Sequence, residues 1–308
     1  MIDILLAVYN GSAFLREQIE SILNQSEQSW RLYICDDCSR DDSFAISSEY
    51  AEKYPERVIA YKNEKPTGSA RLNFMGMLKR TEAEYVMFCD QDDFWKRDKI
   101  KLTLEKMKDM EKKYPDSPLL VHSELEIADS ELRVIRSSFT SYQGLKPEKS
   151  GLNSLICQNN VTGCTLMMNR RLTELMKAAP ADYVLMHDWW AAIAAAAFGH
   201  IGFIEQPLIE YRQHDSNQVG AVNNRQLGRI RQIIAKKEET KERLNATYLQ
   251  AERFLECYEE TLSHESAETL RKYIEIPKRS KAMRMALLIK NGFLKQNFLS
   301  AVGQLIFC

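Results

Sequence analysis

The stretch FCDQDDFW (88–95) sets Asp90, Asp92 and Asp93 directly behind the apolar run YVMFC (85–89). Carboxylates crowded this closely repel one another and hold on to their protons unless a cation offsets their charge. A hard divalent ion with oxygen ligands, Mg²⁺ or Mn²⁺, suits such a group. A solvated turn capped by Asp is the plain alternative, and the surrounding elements decide between the two. Two more polar clusters, VYN (8–10) and DDCSRDD (36–42), also follow apolar runs, while HDWW (187–190) and YRQH (211–214) add acidic, basic and aromatic side chains. Cys35 and Cys38 have CxxC spacing, but no second pair accompanies them, so zinc would lack its remaining ligands.

The elements that must position these clusters alternate in type. IDILLAV (2–8), RLYICDD (31–37), VIAYK (58–62) and YVMFC (85–89) read as buried strands. Helices are expected between them, over Ser12–Gln25, near 41–53 and over Arg71–Arg80. This order predicts an α/β fold with a mostly parallel sheet. Ligands of open α/β sheets bind beyond the carboxyl ends of the strands, where VYN, DDCSRDD and DQDD fall. That convergence favours the metal reading of the acidic stretch.

Past residue 114, LLVHSELEIAD (119–129) and GCTLMM (163–168) read as strands separated by a long polar connection. A helix follows at 187–198, then the strand-like FIEQPLIEYRQH (203–214). From 225 onward the chain is charged and helical. Leu227, Ile230, Ile234, Leu244, Tyr248, Ala251, Leu255, Tyr258 and Leu262 form a heptad-like seam, interrupted by Lys237 and Lys241. QVGAVNN, near 220, marks the boundary between an α/β domain (1–220) and a C-terminal helical region (221–308). Between Lys278 and Cys308 stand six basic residues and no acidic ones, interleaved with large apolar side chains. That pattern suits an anionic membrane surface, and the seam suits homo-oligomerisation or packing against the chain's own domain.

Composition narrows the function. The 308 residues are 44% hydrophobic and 28% charged, as in soluble globular proteins. A net charge of −1 lacks the basic excess of a general nucleic-acid binder. Seven cysteines, an odd number spread over a long chain, do not make a disulfide framework. No run reaches the roughly 20 apolar residues of a membrane span. The start, MIDILLAVYN, lacks the basic region of a signal peptide, so a cytoplasmic location is expected, with peripheral membrane contact open.

Taken in order, AVYNGSAFLREQIESILNQS, ICDDCSRDDS, DQDDFW, HDWW and YRQH resemble a bacterial family-2 glycosyltransferase of the GT-A fold. Within that family the chain is most similar to rhamnosyltransferase-like members that act on streptococcal-type surface glycans. The resemblance covers about residues 1–220. It implies a UDP- or dTDP-sugar donor, a glycan or glycoprotein acceptor and a divalent cation that aids departure of the nucleoside diphosphate. It places Ala7, Tyr9 and Asn10 at the nucleotide, with Asp36 or Asp37 accepting from the pyrimidine N3–H. Arg71 and Asn73 stand where the family contacts base or ribose, although Leu72 separates them here. Asp90 is implied at the nucleotide and Asp92 at the metal, with Asp93 in the sugar or acceptor pocket and Trp95 walling it. Asp188 is implied as the catalytic base, flanked by His187 where the family has an acidic residue and by Trp189 on the acceptor side. Arg212 is implied at the diphosphate and His214 at the metal or phosphate.

Rival readings fit less well. A phosphatase of the haloacid dehalogenase type would carry its DxD after the first strand, with Thr or Val where Phe94 stands. A nucleotidyltransferase would show a Gly-rich N-terminal signature that NGSAF does not supply. A degenerate transferase acting as an assembly scaffold remains the alternative of a different class.

Overall fold

The computed structural model describes residues 1–214 and 237–308. The first half alternates as the periodicity predicts: β1 (Ile2–Val8), α1 (Ser12–Leu23), β2 (Trp30–Asp36), α2 (Ser43–Lys53), β3 (Val58–Lys62), α3 (Ala70–Leu78) and β4 (Tyr85–Cys89). Next come β5 (Phe94–Trp95), α4 (Lys99–Lys113), β6 (Leu119–Ala128), β7 (Val134–Arg136), α5 (Phe139–Gln143), α6 (Leu152–Leu155), β8 (Met167–Asn169), α7 (Arg170–Lys177), α8 (His187–Phe198) and β9 (His200–Arg212). The C-terminal helices are α9 (Lys237–Tyr258), α10 (His264–Ile274), α11 (Lys281–Lys290) and α12 (Phe298–Phe307).

The strands form one sheet in the order β3-β2-β1-β4-β8-β6-β9-β5, with β7 on the edge of β6. β3, β2, β1 and β4 run parallel, and β8 enters antiparallel between β4 and β6. The β1 run IDILLAV is apolar but for Asp3, which pairs with Arg31 and accepts from the Thr81 hydroxyl, because both of its faces are covered. Ile2, Ile4, Leu6 and Val8 share a core with Leu15, Ile19 and Ile22 of α1 and Ile46 of α2. Leu5 belongs to the opposite core with Phe74 of α3 and Trp190 of α8.

Two expectations change in the second half. The strand expected at GCTLMM is reduced to β8, and Gly163–Thr165 is a 3₁₀ turn instead. The turn points the Gly163 N–H at the Asp188 carboxylate, which a strand ladder would have used up. The long polar connection between the strands is also folded, with β7, α5 and α6 lying within it.

The C-terminal helices are built onto the α/β unit. Leu244, Tyr248, Ala251, Phe254 and Tyr258 of α9 are buried in the same core as Trp190 and Phe74. The ring of Phe254 lies 5.1 Å from Trp190, and the Trp190 indole N–H donates to Tyr258 at 3.3 Å. Tyr258 in turn donates to the Leu175 carbonyl at 2.6 Å. The described part of the seam thus faces its own chain. Leu227, Ile230, Ile234 and the boundary near 220 lie outside the described residues. No helix among the described residues is long and apolar enough to cross a membrane.

Phe254, with 0% exposure, tests this shared core. Phe254→Ala should cost about 3–5 kcal/mol, the usual range for a buried aromatic, in a single urea transition followed by near-ultraviolet circular dichroism. Two transitions, with the α/β unit melting as in wild type, would show that the helices fold separately.

Candidate active site

Parallel register brings the chemistry-bearing loops to one edge. Val8 pairs with Asp36 and Leu6 with Cys89, so the turns after β1, β2 and β4 open side by side. Asn10 sits in the left-handed region at φ 49°, which Asn tolerates better than most residues. Its amide donates to Ser39 Oγ at 2.9 Å, and its side-chain oxygen accepts from the Arg40 amide at 2.9 Å. Gln91, between the acidic residues of DQDD, pairs with the Tyr9 backbone twice: it accepts from the Tyr9 N–H at 2.8 Å and donates to the Tyr9 carbonyl at 3.1 Å. That amide fills the space above Gly11, where a Cβ would lie 2.4 Å from Gln91 Cδ. Ala7 is half-buried at the strand end, and the Tyr9 ring stands 49% exposed at the mouth.

Several residues expected to touch the nucleotide are engaged by the protein itself. Asp37 accepts four hydrogen bonds, from Asn63 Nδ2, the Thr67 amide, the Thr67 hydroxyl and the Gly68 amide, at 2.7–3.0 Å. Asp36 is fully buried, accepts from the Ser39 amide at 2.9 Å and has Lys62 at 3.8 Å. Both oxygens of Asp37 are taken, whereas Asp36 uses Oδ1 and keeps Oδ2 buried without a hydrogen-bond partner. Asn73 donates to the Cys35 carbonyl at 3.0 Å and accepts from Asn63 at 3.2 Å, buried under that loop. Arg71 donates to the carbonyls of Asp182 and Val184 and fastens the segment that leads into α8. Trp95 is 1% exposed and packs in the core, where it carries Lys99 on its face at 4.2 Å instead of walling a pocket.

The acidic residues do converge. Asp92 Oδ2 lies 2.9 Å from His214 Nε2, both groups partly open to solvent. Asp90, Asp93 and Cys164 place one ligand-capable atom each within 4.8 Å of one another. Burial pushes the Asp90 carboxyl up, and the negative charges of Asp92 and Asp188 push it further. Asp93 is fully buried, accepts from the Arg212 amide at 3.3 Å and is raised by burial, then by Asp92 and Asp90. Burial likewise raises the Cys164 thiol well above its ordinary value, so it stays protonated and is a poor partner for a hard ion. The oxygens of that group that suit a hard ion are those of Asp90 and Asp93, and the Asp92–His214 pair is a second set of ligand-capable atoms.

Arg212 departs from the expected phosphate fork. It is 2% exposed, and its guanidinium donates to the carbonyls of Asp92 and Ser130 and to the Glu17 carboxylate while lying 4.5 Å from the Phe14 ring. The side chain braces the acidic loop from behind. Lys99 is near enough to Asp93 and Cys164 for their charges to act on it. It has 0% exposure, no hydrogen-bond partner for Nζ among the described residues, and burial drives its pKa down to about 8. Neither Cys164 nor Lys99 stood out in the sequence, one lying in an apolar run and the other in an ordinary amphipathic helix pattern.

Asp188 sits in the first turn of α8, 8% exposed and close enough to Asp90 for their charges to interact. It accepts from the Gly163 amide at 3.0 Å and the Trp189 amide at 2.6 Å. Burial raises it to about 7, with those two amides pulling the other way. His187 is packed between Phe74 and Phe88, with ring centroids 4.4 and 4.7 Å away, and burial lowers it to about 3, which keeps it neutral. Trp189 is half-buried, with its N–H donated to the Leu155 carbonyl at 2.5 Å.

The acidic loop lies beyond the carboxyl end of β4, where open α/β sheets bind ligands, and residues 3–152 match the family described as Glycosyl transferase family 2. The chain carries a family-2 glycosyltransferase domain. The dTDP-rhamnosyl transferase RfbG of Shigella flexneri is 28% identical over 251 residues, 77% of this chain and 82% of that protein. The putative teichuronic acid biosynthesis glycosyltransferase TuaG of Bacillus subtilis is 28% identical over 224 residues, 69% of this chain and 79% of that protein. Among solved structures, S. aureus TarS 1–349 in complex with UDP superposes with a TM-score of 0.58 at 14% identity, covering 93% of this chain and 74% of that one. The fold is GT-A, with helices at its C-terminal end, and the enzyme is a glycosyltransferase.

The raised carboxyls carry a signed consequence for stability. A carboxyl that holds its proton more tightly folded than unfolded contributes stability below its unfolded pKa of about 4, and this is lost as pH rises through the folded value. For Asp188 the loss falls between about pH 4 and pH 7. His122 and His187, both lowered to about 3, act in the opposite sense below their ordinary range. The difference between wild type and Asp188→Asn therefore isolates the carboxyl. In EDTA, urea titrations across this window should show wild type losing stability relative to the variant as pH rises; parallel curves would contradict the buried-acid assignment.

Proposed function

We propose that this glycosyltransferase moves a hexose or deoxyhexose from a UDP- or dTDP-sugar to a sugar hydroxyl of a growing surface glycan, with inversion at the anomeric carbon. The single observation that carries the mechanism is Asp188, a carboxylate held by two backbone N–H groups within charge reach of Asp90. Its pKa, raised to about 7, is matched to accepting a proton near neutral pH. As the acceptor oxygen bonds to the anomeric carbon, its proton passes to an Asp188 carboxylate oxygen. The bond from that carbon to the diphosphate breaks on the opposite face. The nucleotide lies against Tyr9 and Asn10, beside the loop organised by Asp37. Asp92, His214 and Asp90 would hold Mg²⁺ or Mn²⁺, which when bound there offsets charge developing on the leaving diphosphate.

The likeness to RfbG favours dTDP-rhamnose as donor, and UDP-hexoses form the second group to be tried. On this reading residues 1–220 form the catalytic unit and 221–308 a helical region that supports it.

Incubation with a panel of nucleotide sugars, following UDP or dTDP release and transfer to glycan acceptors, tests the donor class. Asp188→Asn should lower transfer about 10²–10⁴-fold, the usual contribution of a positioned base, with donor affinity retained by calorimetry. Near-normal transfer by this variant would rule out the base role. EDTA should abolish transfer, and Mn²⁺ should restore it. Asp92→Asn should weaken metal-dependent binding of the nucleoside diphosphate while leaving the thermal melt near wild type. Equal affinity with and without the Asp92 carboxylate would remove it from the metal site.

A further inference from the structure

The last two helices each keep an apolar stripe turned outward after the rest of the C-terminal region has packed. On α11, Met283, Ala286 and Ile289 are exposed along one face, Met283 at 51% and Ile289 at 57%. On α12, Phe298, Val302 and Ile306 recur at four-residue intervals, the spacing that lines up one helix face. Phe298 is 78% exposed and Ile306 43%. The buried sides of these helices are already committed, through Leu288 of α11 and through Gln304 of α12, which donates to the carbonyl of the buried Phe293 between them.

Charge decides what covers these stripes. Residues 278–308 carry Lys278, Arg279, Lys281, Arg284, Lys290 and Lys295 with no Asp or Glu. Glu275 takes up Lys278 at 2.8 Å and Arg279 at 3.4 Å. Among the described residues no carboxylate pairs with Lys281 or Lys290, which bracket the α11 stripe on exposed positions. A second copy meeting this face across a two-fold axis would set like charges against like. An anionic lipid surface complements both properties at once, since acyl chains accept the large apolar side chains and headgroups accept the cations.

We propose that α11 and α12 form a docking surface for anionic bilayers, which would hold the catalytic pocket near an acceptor carried at a membrane. The proposal rests on the terminal helices alone, so vesicle binding and donor hydrolysis are read separately. The full-length protein should co-sediment with phosphatidylcholine vesicles doped with phosphatidylglycerol and lose binding as salt rises. Pure phosphatidylcholine should bind far less. Lys281→Gln and Lys290→Gln should each lower binding about fivefold, the effect of one surface charge. The double variant Ile289→Ser and Phe298→Ser should remove most of the binding, with thermal melts and donor hydrolysis unchanged. Absence of binding to the anionic vesicles would overturn the proposal, as would variants that bind like wild type. Light scattering that shows a dimer converted to monomer by Ile289→Ser and Phe298→Ser would overturn it too, in favour of a second copy.

Discussion

Crowding carboxylates in one poorly solvated pocket is the constraint that organises this molecule. Asp90, Asp93 and Asp188 are pushed toward their neutral forms by burial, and each additional charge makes the next less welcome. The fold answers with fixed donors close by. Gly163 and Trp189 aim backbone N–H groups at Asp188, and the Arg212 amide reaches Asp93. Two buried cations, Arg212 and Lys99, stand behind the cluster without entering it. This arrangement leaves the acidic cluster only partly compensated by the charges of the chain itself.

Rigidity at the mouth follows from the same need. The double hydrogen bond between Gln91 and Tyr9 ties the turn after β1 to the acidic loop after β4. The four donors on Asp37 tie the end of β2 to residues 63–68. Small displacements of groups that stabilise developing charge are costly, because their value depends on being in place before the reaction. Residues that look like ligand contacts by type therefore serve here as struts that hold the contacts still.

That distinction explains what was legible in the sequence. Buried strands announced themselves as apolar runs, and placing polar clusters at their carboxyl ends pointed to Asp90, Asp92, Asp188 and His214, of which the fold pairs Asp92 with His214 and sets Asp90 within charge reach of Asp92 and Asp188. Asp36, Asp37, Asn73, Arg71 and Arg212 have the right chemistry at nearly the right place, but a sequence shows a donor or acceptor without showing who already occupies it. Only the folded chain reveals that Thr67 and Gly68 fill Asp37, or that Glu17 and Ser130 fill Arg212. Cys164 and Lys99 were hidden for the opposite reason, since nothing in GCTLMM or KIKLTLEKMK marks them as facing carboxylates. The seam of α9 was visible as an apolar stripe, yet periodicity alone does not identify the partner that buries it.

The composition of α8 links these levels. Its sequence HDWWAAIAAAAF carries the proposed base in its first turn and then six alanines. Ala191, Ala192, Ala194 and Ala195 are all fully buried, because one side of the helix meets the sheet and the other meets the C-terminal helices. Small side chains let both layers approach closely, and Trp190 supplies the bulk that locks α8 to Phe254 and Tyr258. The position of Asp188 is thus set from three directions: by the Gly163 turn, by the Arg71 clasp on the segment before α8, and by α9 behind it. A region without motifs of its own thereby becomes part of what places the base.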